Sequence, residues 1–314
     1  MRATPRFALA ALAAAGLLLA ACGGDDDSSD SSDTTAAAGS DASTTTAAAT
    51  GPSYTVAGDG TGNECTTGKT LDDGILTIAT GNPAFPPYVI DDAPESGQGF
   101  ESAVAYAIAE GLGFSPEHVT WVRTGFDEAV QPGDKNFDFN LQQYSITPER
   151  QETVSFSHPY YTSNQAVVAL DGSPAIGATS VADLKSVKFG VQSGTTSLQF
   201  ITDVIQPDTE PYVYDTNEDA KAALAADQID AIVADVPTAL FIAAVEIEGS
   251  SVVGQFPEVE GQPADQFGLV FDKDNPLVSC VDEVLDALDA DGTLTALAEE
   301  WLSDPSQIPV IAVG

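Results

Sequence analysis

The 314-residue chain holds four arginines, and only Arg123 and Arg150 lie beyond its first few residues. Arg150 closes the run Gln142-Gln143-Tyr144-Ser145-Ile146-Thr147-Pro148-Glu149-Arg150, directly after a segment, Phe137–Leu141, that reads as a short strand. Open α/β sheets present ligand-binding loops at the carboxyl ends of their strands. A guanidinium placed there can hold a carboxylate through two parallel hydrogen bonds. Residue chemistry alone equally allows a surface arginine that offsets Glu149 and Glu152. A second candidate is Lys188-Phe189-Gly190-Val191-Gln192-Ser193-Gly194-Thr195-Thr196, a strand, a glycine turn and a helix start. Free N–H groups at such a helix end attract an anion and the Thr196 hydroxyl can add a donor; plain helix capping is the competing reading. The third is Asp235, which follows the strand pattern Ile229–Ala234 and can receive an ammonium group, although a lone Asp carries little weight in so acidic a chain. Taken together the three offer cationic and N–H donors for a carboxylate and an anion for an amine, which fits a zwitterionic amino acid.

The elements that must position these groups alternate along the chain. Ile75–Ala79, Val119–Arg123 and Phe137–Leu141 read as strands, with helices over Glu101–Gly111 and Phe126–Val130 between them. A second alternation runs from Gln165–Ala169 through a helical turn at Val181–Leu184, strand Lys188–Val191, helix Thr195–Val204, strand Tyr212–Tyr214 and helix Asn217–Asp227 to strand Ile229–Ala234, with helix caps expected at Thr196 and Asn217. Gln255–Asp265 is rich in Pro, Gly and charge and reads as a crossing. Phe267–Phe271 restarts as a strand, and helices follow at Pro276–Asp291 and Thr293–Leu302. The predicted architecture is two α/β domains, residues 63–164 with 265–314 and residues 165–264, joined by a two-crossing hinge with a ligand cleft between them. Such a pair can capture a ligand by closure.

The first 21 residues carry Arg2 and Arg6 ahead of an uncharged apolar stretch too short to span a bilayer, which predicts a removable signal peptide. The stretch ends in Leu19-Ala20-Ala21-Cys22, which resembles the lipobox of bacterial lipoproteins, so Cys22 is the expected lipidation site. Two or three acyl chains would anchor stably, where one binds only marginally. An ordinary secretory signal is the alternative. Residues 22–62, poor in large apolar side chains, read as a disordered tether with a reach of ~35 Å. With Cys22 assigned to lipid, Cys65 and Cys280 are the two cysteines left, in an oxidising compartment, and a disulfide between them is expected; two free buried thiols are the alternative. The formal net charge of −38 repels phosphate backbones and excludes nucleic-acid binding as an expectation.

A resemblance to a known family now stands on particular residues. Leu76-Thr77-Ile78-Ala79, Phe85-Pro86-Pro87-Tyr88, Gly99-Phe100-Glu101, Ile146 to Arg150, Phe156-Ser157-His158-Pro159-Tyr160, Gly194-Thr195-Thr196, Asp235 and Asp291-Gly292-Thr293 resemble, in order and spacing, the family 3 extracellular solute-binding proteins, amino-acid-binding components of ABC importers. The resemblance implies an α/β fold of the type II periplasmic-binding-protein kind. It also implies that Arg150 clamps a ligand α-carboxylate with Ser145, Thr195 and Thr196 nearby, that Asp235 accepts the α-ammonium, and that Phe85 packs on the ligand side chain. Gln143 falls where a backbone carbonyl commonly meets the amine. Two departures stand out: Gln142 and Gln143 occupy places often held by small residues, and Glu101 replaces the usual Asp, with an expected effect on the helix start alone. Gln142, Gln143, Tyr144 and Phe85 make a mostly neutral pocket, which favours a polar, uncharged amino acid.

The implied partners are an amino acid, an ABC permease and, through lipid, the outer face of the cytoplasmic membrane, with the protein itself a monomer. No cofactor or metal is expected, because His118 and His158 stand far apart in sequence and no phosphate-binding or nucleophile-elbow motif occurs in the folded part. Two alternatives share the fold: a ligand-sensing lipoprotein without transport, and a periplasmic dehydratase.

Overall fold

The structure, a computed structural model, describes residues 52–258 and 264–313. The expected signal peptide, the lipidation site Cys22 and the first part of the expected tether lie outside the described residues.

Two five-stranded sheets carry the fold. The first has the order β2-β1-β3-β10-β4, built from β1 (Leu76–Gly81), β2 (Val119–Thr124), β3 (Phe139–Asn140), β4 (Ser155–Ser163) and β10 (Asp265–Phe271). Strands β2 and β3 run parallel to β1, and β10 runs antiparallel to both β3 and β4. The second has the order β7-β6-β8-β5-β9, from β5 (Gln165–Leu170), β6 (Phe189–Gln192), β7 (Tyr212–Tyr214), β8 (Ala231–Asp235) and β9 (Ser250–Gln255). Here β6 pairs in parallel with β7 and β8, while β5 pairs antiparallel with β8 and β9.

The sequences of the central strands explain their places. Every residue of Leu76-Thr77-Ile78-Ala79-Thr80-Gly81 is buried, as a strand covered on both faces requires. In β5, Val167 and Ala169 enter one apolar cluster while Ala166 and Val168 enter another, so its period of two supplies both sides of the second sheet. The first sheet is covered by α1 (Phe100–Gly111), α6 (Val278–Ala290) and α7 (Thr293–Trp301). Along α6, Val281, Val284, Leu285 and Leu288 recur at helical spacing and face that core. Cys280 of the same helix is bonded to Cys65, which pins the N-terminal entry of the lobe to its C-terminal helices.

Two boundaries differ from the sequence reading. The tether was expected to run to residue 62, yet the chain is already docked at Tyr54, whose hydroxyl donates to the Phe114 carbonyl at 2.9 Å and whose ring meets Tyr106 edge-on. Gly62 and Ser115 then exchange backbone bonds with Gly113 and Gly60, continuing the attachment. A single aromatic residue in an otherwise small-residue stretch is enough to mark where docking starts. Residues 265–314 were likewise assigned whole to the first domain. The chain instead leaves α7 and returns to the second sheet, where Val310 bridges Gln255, Ala312 bridges Ser180 and Ile311 is fully buried. The lobes are thus connected at Asn164, between β9 and β10, and by this C-terminal strap, three crossings where two were expected.

Candidate ligand-binding site

A cavity of about 380 Å³ lies between the lobes, walled by the loops that follow β1, β3, β6 and β8. The carboxyl ends of parallel strands meet there from both sheets, as open α/β folds require of a binding crevice. Of the eight residues singled out in the sequence, Phe85, Gln143, Ser145, Arg150, Thr195, Thr196 and Asp235 line this cavity.

Arg150 opens a short 3-10 turn, Arg150–Glu152, below the loop after β3. Its Nη1 donates to the Ser145 carbonyl at 2.8 Å and its Nη2 reaches across to the Gly194 carbonyl at 2.9 Å. The guanidinium carbon lies 5.4 Å from the Phe126 ring centroid and 5.7 Å from that of Tyr144, within cation–π range of both. Arg123 is neutralised by Asp92 at 2.6 Å, whereas Arg150 is within ion-pair distance of no carboxylate among the described residues. Burial pulls its pKa below the ordinary arginine value. The nearest groups to this half-buried cation are two carbonyls and two aromatic rings.

Gly194 makes that approach possible. Its φ is +68°, and a Cβ there would meet Asp127 Oδ1 at 2.2 Å. Thr195 next to it is the N-cap of α3 (Thr196–Phe200), accepting from the Leu198 N–H at 3.2 Å. Thr195 rather than Thr196 therefore caps this helix, and Thr216 rather than Asn217 caps α4 (Asn217–Ala225). The change frees the Thr196 hydroxyl, which lies 3.2 Å from Ser145 Oγ across the cleft.

Asp235 ends β8 and caps α5 (Val236–Phe241), with Thr238 N–H donating to Oδ1 at 2.9 Å and the Thr238 hydroxyl to Oδ2 at 2.8 Å. The Tyr88 hydroxyl, from the other lobe, donates to Oδ1 at 2.5 Å. Burial raises the pKa of this carboxyl, and the three donors work against that rise. On the opposite wall, Phe85 presents its ring to Lys221 Nζ at 4.9 Å, and that ammonium is held by Glu218 and Glu246 at 2.7 Å each.

Two expectations are corrected. Tyr144 does not line the cavity: it is fully buried, stacks on Phe126 at 4.6 Å and bonds through its hydroxyl to the Phe126 carbonyl at 2.8 Å. Gln143 has a φ of 50°, outside the extended region, so the simple in-and-out alternation of a strand does not carry through it to Tyr144. Tyr144 serves instead as part of the floor under Arg150. Glu101 does more than start a helix. It is buried beneath the loop after β3, with Gln143 donating to it from both its backbone N–H (2.8 Å) and its side-chain amide (2.5 Å), and with the Tyr160 hydroxyl as a further donor. Burial pushes its carboxyl up to about 7.

Sequence reasoning also missed several lining residues. Gln165 of the hinge strand accepts from Ser197 at 2.7 Å and donates to Asp265 at 2.5 Å. Asp127, Glu128, Asp215 and Glu218 bring four further carboxylates to the cavity wall. Nothing in their local sequence distinguishes them from the many solvated acids of this chain; position at the ends of α2 (Phe126–Val130), β7 and α4 was the one available signal. Neither histidine lines the cavity.

Residues 76–304 match the model of the bacterial extracellular solute-binding proteins, family 3, and the chain belongs to that family. These are transport receptors and not enzymes, and the function of the class is to present an amino acid to an ABC transporter from outside the cytoplasm. Among similar curated proteins, the ABC transporter arginine-binding protein 1 of Escherichia coli (strain K12) is 26% identical over 223 residues, covering 69% of this chain and 86% of that one. The glutamate-binding protein GluB of Corynebacterium efficiens is 28% identical, over 65% of this chain and 70% of its own. An ancestral arginine-binding protein solved with arginine superposes with a TM-score of 0.60 at 31% identity, covering 73% of this chain and 98% of that one; a structure of such a protein with glutamine gives 0.60 at 30%, with the same coverage.

Proposed function

We propose that this protein traps a single L-α-amino acid with a long polar or cationic side chain between its lobes, held at its carboxylate by Arg150 and at its ammonium by Asp235, and hands it to an ABC permease. The observation that carries the reading is the unpaired guanidinium of Arg150 in the same cavity as the buried carboxylate of Asp235. Ser145 and Thr196 are the hydroxyl donors around the carboxylate, Thr195 holds the helix start in place, and Phe85 packs on the side chain. Tyr144 acts indirectly, as the ring beneath Arg150.

The sequence alone favoured an uncharged ligand. Asp127, Glu128, Asp215 and Glu218 shift that preference toward a cationic group, and the relatives named for arginine support the same direction. Lys221 offsets part of this charge, being held by Glu218 and Glu246. Closure needs differential contact with both lobes. Arg150 and Phe85 come from one and Thr196 and Asp235 from the other, which meets that requirement.

In the same reading the folded residues form one lobe from residues 54–164 with 265–302 and a second from 165–264 with the strap, and the protein works as a monomer. Cys22 is diacylated and becomes the first residue once residues 1–21 are removed, and the lipid holds the receptor at the outer face of the cytoplasmic membrane. Mass spectrometry of the membrane-extracted protein tests this anchoring: a mass starting at Cys22 with acyl additions is expected, and an unmodified secreted chain would overturn it. Ligand capture is tested by calorimetric titration of protein stripped of carried-over ligand against the twenty amino acids. Saturable one-to-one binding is expected, with L-arginine and L-glutamine the first to try; silence across the panel would contradict the reading.

A further inference from the structure

Glu101 is a fully buried carboxylate that capture by Arg150 and Asp235 does not require. It sits in the first turn of α1, just past Gly99, whose φ of +101° and whose close approach to the Tyr88 carbonyl, where a Cβ would stand at 2.5 Å, bring this helix start under the cleft. Its two oxygens grip one residue twice: Oε1 accepts the backbone N–H of Gln143 and Oε2 accepts the Gln143 side-chain amide. That residue holds a φ of 50°, a conformation uncommon for a non-glycine residue.

The grip has a consequence for the cavity. The Gln143 N–H points down at Glu101, and in a trans peptide the carbonyl of Gln142 then points the opposite way. Gln142 and Gln143 both line the cavity, and neither backbone carbonyl accepts a hydrogen bond from any described residue. A carbonyl on a cavity wall without a donor from the protein is open to one from a ligand. We propose that Glu101 is a positioning residue for the ligand's ammonium group: by gripping the Gln143 N–H and side-chain amide it fixes the Gln142–Gln143 peptide, and with it the Gln142 carbonyl on the side away from Glu101, and it sets a second negative charge beneath the cavity wall in addition to that of Asp235. The inference rests on the amino-acid reading of the cleft.

The groups that face Glu101 are the Tyr160 hydroxyl from β4, the Gln143 amides, the carboxylate of Asp235 from the second lobe, and the rings of Tyr88 and Tyr144; no cation is among them. Burial pushes all three tyrosines well above their ordinary range, so they do not titrate near neutrality. Burial holds the Glu101 carboxyl up at about 7, so near neutrality it can exchange a proton. An ammonium brought close favours the ionised form, so binding expels a proton.

The test is calorimetry of the wild-type protein and E101Q with L-arginine and L-glutamine at pH 7, each in two buffers of different ionisation enthalpy. The wild type is expected to release a substantial fraction of a proton on binding; E101Q is expected to release close to none and to bind roughly tenfold or more weakly, as the loss of a nearby buried charge implies. Release that persists undiminished in E101Q would trace it to Asp235 and overturn the proposal, as would E101Q binding with wild-type affinity. Should E101Q fail to fold, the wild type decides alone: no proton release on binding overturns the assignment. A wild type that binds neither amino acid nor any other of the twenty contradicts the reading of the cleft itself, a distinct result.

Discussion

Two ionisable side chains, Arg150 on the cavity wall and Glu101 buried beneath it, lie in surroundings that move them from their ordinary pKa values. Arg150 is an arginine without a carboxylate, and Glu101 is a carboxylate in a proton-hungry environment. The cost of the second can be read through pH. A carboxyl whose folded pKa lies above its unfolded value binds more protons when folded, so its ionisation destabilises as pH rises from the unfolded value near 4.5 through about 7. The full penalty, on the order of 3 kcal/mol from the shift, is reached above neutrality. Thermal unfolding of wild type and E101Q from pH 5 to 8.5 should show the wild type losing ground to the variant as pH rises; a constant difference would contradict the assigned environment. Tyr88→Phe removes the donor from Asp235 and is expected to cost ~1 kcal/mol of stability, readable by denaturant unfolding, with no change if the cross-lobe bond is absent in solution.

The elements show what could be read in advance and what could not. The parallel strands and α1, α6 and α7 fall within a few residues of their expected bounds, because their apolar spacing is dictated by cores on both faces of each sheet. Strands β4 and β9 were not foreseen. Ser155–Ser163 mixes serines with aromatic residues, and its pairing with β10 is a tertiary event that local pattern does not encode. The same reason separates Arg150 from Tyr144: the first announced itself by rarity and place, while the second was misplaced because the backbone at Gln143 leaves the extended region. At this scale the glycine turn after β6 is sensitive to substitution. Gly194→Ala puts a methyl onto Asp127 in a left-handed conformation, which is expected to cost about 1–3 kcal/mol of stability and to weaken ligand binding by displacing the Gly194 carbonyl from Arg150. A variant as stable and as tight as wild type would show that this turn does not hold the site.

For the molecule as a whole, a disulfide and a C-terminal strap act as ties. The Cys65–Cys280 bond closes a loop of 215 residues, and opening it with Cys280→Ser is expected to lower stability by about 2–5 kcal/mol, measured as a drop in Tm against wild type. The C-terminal strap carries the chain back across the hinge and buries Ile311 against Gly254 in the second lobe. Ile311→Ala is expected to cost about 2–5 kcal/mol. Because the strap adds a third connection to the hinge, loosening it should also widen the ligand-free ensemble, seen as a larger radius of gyration in solution scattering that contracts on adding ligand; an unchanged radius would mean that the first two crossings alone limit opening.

The central claim is that Arg150 captures a carboxylate, and the direct test removes either partner. Titrating wild type and Arg150→Ala with the bound amino acid and with its α-carboxamide, which lacks the charged carboxylate, forms a closed cycle. The wild type should bind the amino acid and reject the amide, and Arg150→Ala should lose about 2–5 kcal/mol toward the amino acid while treating the two ligands nearly alike. An Arg150→Ala protein that keeps wild-type affinity, or that still discriminates between them as strongly, would contradict the account.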